Sequence, residues 1–181
     1  MKLYISSNKN SREFAKMCVR EYTGETRFAF AENEFGKPFI IGMDENVHFS
    51  LSHSGDILIC AVARFNIGAD CQVVNIKKTA KCRKIAERFY SPQENLFLNG
   101  LPEAGYVNNF FEIWAKKEAY IKYTGRGLSE GLSTFSVTEH GLSLCGVCFK
   151  RAAPELPGAY IYLCCGAADA HEFDGLQVVC T

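Results

Sequence analysis

The sequence lacks an excess of charge of either sign, because its 181 residues include 20 lysines and arginines against 20 aspartates and glutamates. Any attraction to nucleic acid or to an acidic partner must therefore come from a local patch. It also lacks an apolar run near the ~20 residues that cross a bilayer, since the longest, Ile57–Ala63, has the length of a strand. No apolar leader follows Met1. We expect a cytosolic protein that binds neither nucleic acid nor membrane.

Nine cysteines are present, but they do not indicate a disulfide framework. Their number is odd, and disulfides are rare in a reducing compartment. Cys145 and Cys148 have the spacing of a redox or zinc motif, yet they lie in an alternating segment typical of a strand. A redox pair needs a thiol at a helix N-terminus, and a zinc site needs two more ligands. We expect both residues to be small, buried and structural.

Hydrophobic periodicity predicts an α+β protein built from two α/β halves. Hydrophobic residues make up 48% of the chain, which is typical of globular proteins. The pattern changes character near residues 65–75, so we place an N-terminal half at residues 1–65 and a C-terminal half at 66–181. The predicted elements are strand Lys2–Ser6, helix Ser11–Tyr22, strands Arg27–Ala31, Phe39–Ile41, Val47–Ser52, Ile57–Phe65 and Ile67–Val74, helices Ile76–Tyr90, one starting at Ser91, and Tyr106–Thr124, and strands Leu132–Val137, Leu142–Phe149, Tyr160–Cys164 and Leu176–Val179.

Polar residues border the apolar stripe of the long predicted helix. Trp114, Glu118 and Lys122 are spaced four residues apart, so they share one helix face. In isolation the carboxylate and the ammonium would form an exposed ion pair, worth about 0.3–0.5 kcal/mol. A functional role depends on what the fold brings beside them.

Asp70 is unusual because aspartate is depleted in strands. Within an apolar segment it must be hydrogen-bonded, paired or bound to a metal. Gln72 lies two residues further along the predicted strand and so points the same way. With Glu118 brought to this face by the fold, the oxygen atoms would suit Mg²⁺, which takes one or two carboxylates together with water and phosphate oxygens. The alternative is an aspartate that caps a turn.

Ser52 and His53 lie where a strand enters a turn, a frequent place for functional side chains. Both can donate a hydrogen bond to a phosphate. A hydrolytic serine–histidine pair is disfavoured, because sequence neighbours usually point apart and no nucleophile-elbow motif is present. Lys37 lies in the turn Phe35–Pro38, which by itself predicts only a solvated turn.

In this order and spacing, four segments resemble the 4′-phosphopantetheinyl transferases of the surfactin-synthetase-activating (Sfp-like) type. They are Gly36–Pro38, Phe49–Gly55, Ile67–Asp70 and Trp114–Lys122, the last followed by Gly125–Leu128. The resemblance implies a pseudo-dimer, in which two similar α/β halves of one chain bind coenzyme A in the cleft between them. It also favours a monomer.

The resemblance implies the transfer of 4′-phosphopantetheine from coenzyme A to a serine of an acyl or peptidyl carrier protein, with Mg²⁺ required and 3′,5′-ADP released. It implies metal binding by Asp70 and Glu118, to which the side-chain oxygen of Gln72 adds a third candidate ligand, and catalysis by Asp70, Glu118 and Lys122. The implied contacts to coenzyme A are Lys37, Ser52, His53 and Lys122, with Arg12 as the candidate for its 3′-phosphate.

Gln72 departs from the family pattern, because many relatives have a glutamate there. Its amide offers a carbonyl oxygen but no charge, so we expect weakened metal binding rather than loss of activity. The alternative function is a noncatalytic homologue that binds coenzyme A or a carrier protein.

The predicted helix from Lys77 to Arg88 carries six basic residues and one acidic residue. Because carrier proteins are commonly acidic around the modified serine, this basic helix is suited to steer them. The alternatives are a solvated helix face and a nucleic-acid-binding module, whose binding would weaken steeply with salt.

Overall fold

A computed structural model describes residues 1–7, 10–43, 46–75, 79–138 and 144–181. Its class is α+β, as the sequence predicted, whereas the likeness of the two halves stays a prediction. No described helix is long and apolar enough to cross a membrane. The elements are β1 (Lys2–Ser6), α1 (Ser11–Thr23), β2 (Ala29–Glu32), β3 (Pro38–Ile41), β4 (His48–Ser54), β5 (Ile57–Ala63), β6 (Ile67–Val73), α2 (Thr79–Phe89), α3 (Pro92–Asn99), α4 (Glu103–Thr124), β7 (Val147–Ala152), β8 (Ala159–Gly166) and β9 (Gln177–Cys180), with 3-10 helices at Gly127–Glu130, Leu132–Thr134 and Ala167–Gly175.

Local sequence signals set the ends of the second-half helices. Ser91 and Glu94 form a capping box at the start of α3, where each side chain accepts a hydrogen bond from the other residue's backbone N–H. Helix α4 ends at Gly125, whose φ of 69° lies in the left-handed region and whose N–H donates to the carbonyl of Ile121. The capping box and the glycine stop were both visible in the sequence.

Two main sheets organise the fold. The first has the strand order β4-β5-β1-β9, the second has β6-β8-β7, and β2 and β3 form a separate hairpin. Helix α1 covers one face of the first sheet, and the opposite face packs against β6 and β8. Strand β9 pairs in parallel with β1, so the last strand of the chain completes the first sheet. A division of the chain at residues 65 and 66 stays a prediction.

The prediction of a strand at Leu132–Val137 was wrong. The segment begins with a 3-10 helix at Leu132–Thr134. The carbonyls of Leu132 and Phe135 accept hydrogen bonds from Lys117 Nζ, and the N–H of Val137 donates to Glu94 Oε1. Buried side chains therefore satisfy backbone groups that a neighbouring strand would otherwise pair.

Two further predictions shift at the boundaries of the described residues. The strand expected at Leu142–Phe149 is β7, displaced towards the C-terminus, and residues 142–143 lie outside the described ranges. Residues 76–78, at the start of the predicted basic helix, lie outside them as well. Cys145 is exposed in the turn before β7 and Cys148 is half-buried, so the predicted burial of this pair was wrong for Cys145.

Candidate active site

A glycine brings strand β6 into direct contact with helix α4. A Cβ atom at Gly68 would lie 1.9 Å from the carbonyl oxygen of Ala119 and 2.4 Å from the backbone nitrogen of Tyr123. Only a residue without a side chain permits this approach. Because side chains alternate along a strand, Asp70 and Gln72 share the face of Gly68 and are directed towards α4. A glycine two residues before Asp70 is therefore needed for β6 to pack against α4 with Asp70 on the same face.

Asp70 is buried, and both of its carboxylate oxygens accept hydrogen bonds from side chains. Oδ1 accepts from Ser52 Oγ and from Lys122 Nζ, each at 2.6 Å. Oδ2 accepts from Gln72 Nε2 at 2.9 Å. The side chain of Asp70 is 3% exposed and that of Lys122 is 29% exposed. Burying a carboxylate is unfavourable unless it is paired and hydrogen-bonded, and these three donors offset that penalty.

Glu118 lies one turn before Lys122 on α4 and interacts electrostatically with Asp70. Burial raises the pKa of the Glu118 carboxyl, and the negative charge of Asp70 raises it further, while the ammonium of Lys122 opposes both effects. Two carboxylates and one ammonium therefore meet where β6 packs on α4, although the acids are 48 positions apart in the chain.

This donor set can be tested against the requirements of a metal ion. Within the described ranges, no group of three or more histidine, cysteine, aspartate or glutamate side chains is arranged to hold a metal. Mg²⁺ needs fewer protein ligands than that, because it is commonly bound through one or two carboxylates and completes its coordination shell with water and phosphate oxygens. Burial and then repulsion from Asp70 raise the pKa of the Glu118 carboxyl, and a cation between the two acids would relieve the repulsion. The pair Asp70 and Glu118 therefore fits Mg²⁺.

The site borders the first of three linked cavities. Lys37 and Lys122 line a cavity of about 220 Å³. It shares lining residues with a second cavity of about 290 Å³, which Arg12 lines. Ser11 joins the second cavity to a third of about 330 Å³, which exposed His53 lines. The residues shared by the first two cavities are Pro38, Phe49 and Leu51. Four of the predicted coenzyme A contacts thus border one run of cavities.

The ammonium group of Lys37 forms hydrogen bonds at the C-terminal end of α4. Its Nζ donates to Asn66 Oδ1 at 2.7 Å and to the carbonyl of Tyr123 at 2.9 Å. A helix C-terminus carries partial negative charge, which favours a cation. Burial nevertheless lowers the pKa of Lys37 to about 8. The ammonium thereby ties the turn Phe35–Pro38 to the helix that carries Glu118.

Sequence reasoning missed a buried ion pair beside the site. Lys117 Nζ lies 2.8 Å from Glu94 Oε2, and both side chains are fully buried. Lys117 also donates to the carbonyls of Leu132 and Phe135 at 2.6 and 2.7 Å, so the pair fastens α4 to α3 and to the following loop. The signal was available, because Lys117 lies four residues after Ile113 on the apolar stripe, where a lysine requires a buried partner.

Comparison with known proteins identifies the family. The sequence profile of the 4′-phosphopantetheinyl transferase superfamily matches residues 66–156, which is half of the chain. The chain belongs to the 4′-phosphopantetheinyl transferase superfamily. The residues assigned to the metal and to catalysis lie inside this superfamily match, whereas Arg12, Lys37, Ser52 and His53 lie before it.

Individual members of the superfamily are similar to this chain over shorter lengths than their own. The 4′-phosphopantetheinyl transferase Sfp of Bacillus subtilis strain 168 is 38% identical over 112 residues, which cover 61% of this chain and 47% of that protein. The transferase psf-1 of Bacillus pumilus is 41% identical over 101 residues, or 56% and 41%. The transferase gsp of Aneurinibacillus migulanus is 33% identical over 111 residues, or 61% and 44%. The chain spans about half the length of the curated relatives it matches.

Proposed function

We propose that this chain transfers the 4′-phosphopantetheine group of coenzyme A to a serine of an apo acyl or peptidyl carrier protein. The observation that carries the proposal is the meeting of Asp70, Glu118 and Lys122 where β6 packs on α4. It is supported by the superfamily match over the same residues and by relatives that are named 4′-phosphopantetheinyl transferases.

In the proposed reaction the serine oxygen bonds to the β-phosphorus of coenzyme A, and the bridging P–O bond to the other phosphate breaks. The leaving 3′,5′-ADP keeps the electron pair of that bond, and the serine proton passes to a base, directly or through water. Glu118 is the proposed base, because the resemblance implies a catalytic role for it and a carboxylate can accept a proton in such a step. Lys122 is proposed to stabilise the negative charge that develops on the phosphate oxygens.

Asp70 and Glu118 are the residues proposed to hold Mg²⁺. When bound, the ion supplies positive charge that neutralises the diphosphate and polarises its phosphoryl oxygens. Gln72 contributes an N–H donor to Asp70 in place of a third negative charge. We therefore propose that this chain binds the cation more weakly than a relative with glutamate at this position.

Coenzyme A is proposed to lie along the run of three cavities, of which the first is lined by residues of both halves and the other two by residues of the N-terminal half. Lys37 and Lys122 line the first cavity, and Arg12 and His53 line the two that follow. Cationic or hydrogen-bonding side chains thus occur along the whole run, as a ligand with several phosphates requires. Ser52 lines none of these three cavities, so its contact to coenzyme A stays a prediction.

Helix α2 is the proposed docking element for the carrier protein. It exposes Lys81, Lys84 and Arg88, whereas Arg83 is paired with Glu103 at 3.0 Å. Lys81 also lines a cavity of about 180 Å³ that reaches Gln72, which lies beside Asp70. An acidic carrier held on α2 would therefore present its serine close to the site. A monomeric state and a cytosolic location belong to the same proposal.

The test of the function is transfer to a defined substrate. The protein is incubated with coenzyme A, Mg²⁺ and a panel of apo carrier proteins from the same cell, and intact mass spectrometry detects the added phosphopantetheine. Transfer is expected for the unaltered chain and for the surface variant Gln177→Ala, and is expected to be lost in Asp70→Ala and Glu118→Ala. Full activity of both acid variants would contradict the metal assignment, and no transfer to any carrier would contradict the function.

One observation favours the noncatalytic alternative, namely the neutral Gln72 beside the two acids. On that alternative the chain binds coenzyme A or a carrier but transfers nothing. An inactive parent chain that gains transfer activity in Gln72→Glu would support it, whereas transfer by the unaltered chain would exclude it.

A further inference from the structure

Strand β4 contacts β6 through a row of serine hydroxyls. The two strands are edges of different sheets. Ser50, Ser52 and Ser54 alternate along β4 and therefore share one face. Ser50 Oγ accepts a hydrogen bond from the N–H of Ala69, and Ser54 Oγ accepts one from the N–H of Val73, each at 2.9 Å. These two hydroxyls attach the backbone of β6 to the first sheet.

Ser52 differs from its two neighbours in the row, because its hydroxyl bonds to a side chain. Its Oγ donates to Asp70 Oδ1 at 2.6 Å. The whole residue is 8% exposed and Asp70 is 2% exposed, so water hardly competes for this bond. A donor fixed at one carboxylate oxygen limits the rotation of the carboxylate about its Cβ–Cγ bond, and thereby sets the direction of the remaining lone pairs.

Ser52 is also the most rigidly held of the three donors to Asp70. Lys122 reaches the same oxygen through a long side chain that is 29% exposed. Gln72 is half-buried and reaches the other oxygen. The Ser52 hydroxyl, in contrast, is one bond from a Cβ on a strand residue that is paired with Ile59 of β5. Its position is therefore set by the backbone of the first sheet.

We propose that Ser52 is a positioning residue that orients the Asp70 carboxylate for a divalent cation, an inference that rests on the proposed function. The family resemblance implies instead that Ser52 contacts coenzyme A. The burial of Ser52 and its short bond to Asp70 support the positioning role. Removing a group that orients a metal ligand typically weakens metal binding about 10–100-fold.

The experiment measures Mn²⁺ binding to the full chain by electron paramagnetic resonance, with and without coenzyme A, because Mn²⁺ suits the same oxygen ligands as Mg²⁺. Ser52→Ala is expected to bind Mn²⁺ about 10-fold more weakly or worse. Ser52→Thr keeps a hydroxyl on a strand-compatible residue and is expected to stay close to the unaltered chain. Ser54→Ala is the matched control, since it removes the same atom from the same strand face without touching Asp70.

Two outcomes would overturn the inference while the proposed function stands. Unchanged Mn²⁺ affinity in Ser52→Ala is the first, and a raised KM for coenzyme A in that variant would then indicate direct contact with the substrate. The second is an equal weakening of Mn²⁺ binding in Ser54→Ala, because it would show that any disturbance of β4 has this effect. If Ser52→Ala does not fold, Ser52→Cys, in which a weak thiol donor replaces the hydroxyl, decides by the same comparison. If the unaltered chain itself binds no Mn²⁺ under either condition, the proposed metal site fails and the inference fails with it.

Discussion

Gly68 of β6 lies directly against Ala119 of α4, and a Cβ atom at the glycine would be only 1.9 Å from the alanine carbonyl oxygen. This contact sets the distance at which α4 carries Glu118 and Lys122 past Asp70. The geometry of the candidate site therefore depends on a residue that has no functional group of its own.

Gly68→Ala is expected to destabilise the protein by about 3 kcal/mol or more, at the upper end of the range for overpacked cores. The added methyl group meets helix backbone, which cannot rotate away as a side chain can. Urea denaturation measures the loss. Gly105→Ala in the same helix is the control, because its Cβ would meet side chains no closer than 3.6 Å and alanine should stabilise a helix by up to about 1 kcal/mol. Equal stability of the two variants would contradict the packing argument.

The sequence was informative wherever a local signal sufficed. The capping box at Ser91 and the glycine at position 125 gave the ends of α3 and α4. The spacing from Glu118 to Lys122 placed both residues on one helix face, and an aspartate in an apolar strand indicated a buried partner. The ends of helices, and the side chains that share one face of a helix or strand, could therefore be predicted.

What depends on long-range contacts could not be predicted. The segment Leu132–Val137 has the apolar and β-branched residues of a strand, but the buried pair of Lys117 and Glu94 forms hydrogen bonds with its backbone groups. The pairing of β9 with β1 could not be predicted, because the local sequence pattern of a strand does not indicate its partner strand. The hydrogen-bond partner of Ser52 could not be predicted either, because the sequence of β4 does not indicate which side chain of β6 this serine will face.

Lys117→Met is expected to lower the free energy of unfolding by about 3–5 kcal/mol, because it leaves the Glu94 carboxylate buried without its cation. Chemical denaturation followed by circular dichroism measures the change. Lys116→Met is the matched control, since Lys116 is the neighbouring lysine, and it is only half-buried and pairs with the half-buried Glu112 at 3.2 Å. That control should lose less than about 1 kcal/mol.

The double variant Lys117→Met with Glu94→Gln sharpens this prediction. Removing the second charge should recover part of the stability, although the single amide oxygen can accept from only one of the two backbone N–H groups, those of Ser91 and Val137, that the carboxylate served. A double variant that loses the full sum of the two single effects would show that the two side chains do not act as a pair.

Gln72→Glu is expected to shift stability and metal affinity in opposite directions. Without metal, the new carboxylate loses the hydrogen bond to Asp70 Oδ2 and adds a like charge beside two acids, so the melting temperature should fall. With metal, a further unit charge near 4 Å contributes about 1 kcal/mol or more, which is about fivefold tighter binding. Melting curves in chelator and in Mn²⁺ measure both effects. Gln177→Glu places the same charge on exposed β9 and should change neither the melting temperature in chelator nor the Mn²⁺ affinity. If both variants shift these quantities equally, the local explanation is wrong.

Glu118→Gln is expected to stabilise the metal-free protein near neutral pH. Burial and the charge of Asp70 raise the pKa of the Glu118 carboxyl above its ordinary value of 4.5. The folded state therefore holds the proton at pH values where the unfolded state has released it, so this residue's contribution to stability is fully present below about pH 4.5 and is lost as pH rises through the folded pKa. The advantage of Glu118→Gln over the unaltered chain should accordingly be largest near pH 7 and vanish towards about pH 4. Melting temperatures across this range in chelator measure it, with Glu103→Gln, an exposed residue at the start of α4, as the control. A stability gap that does not change with pH would show that the Glu118 carboxyl is not perturbed by its burial and by Asp70.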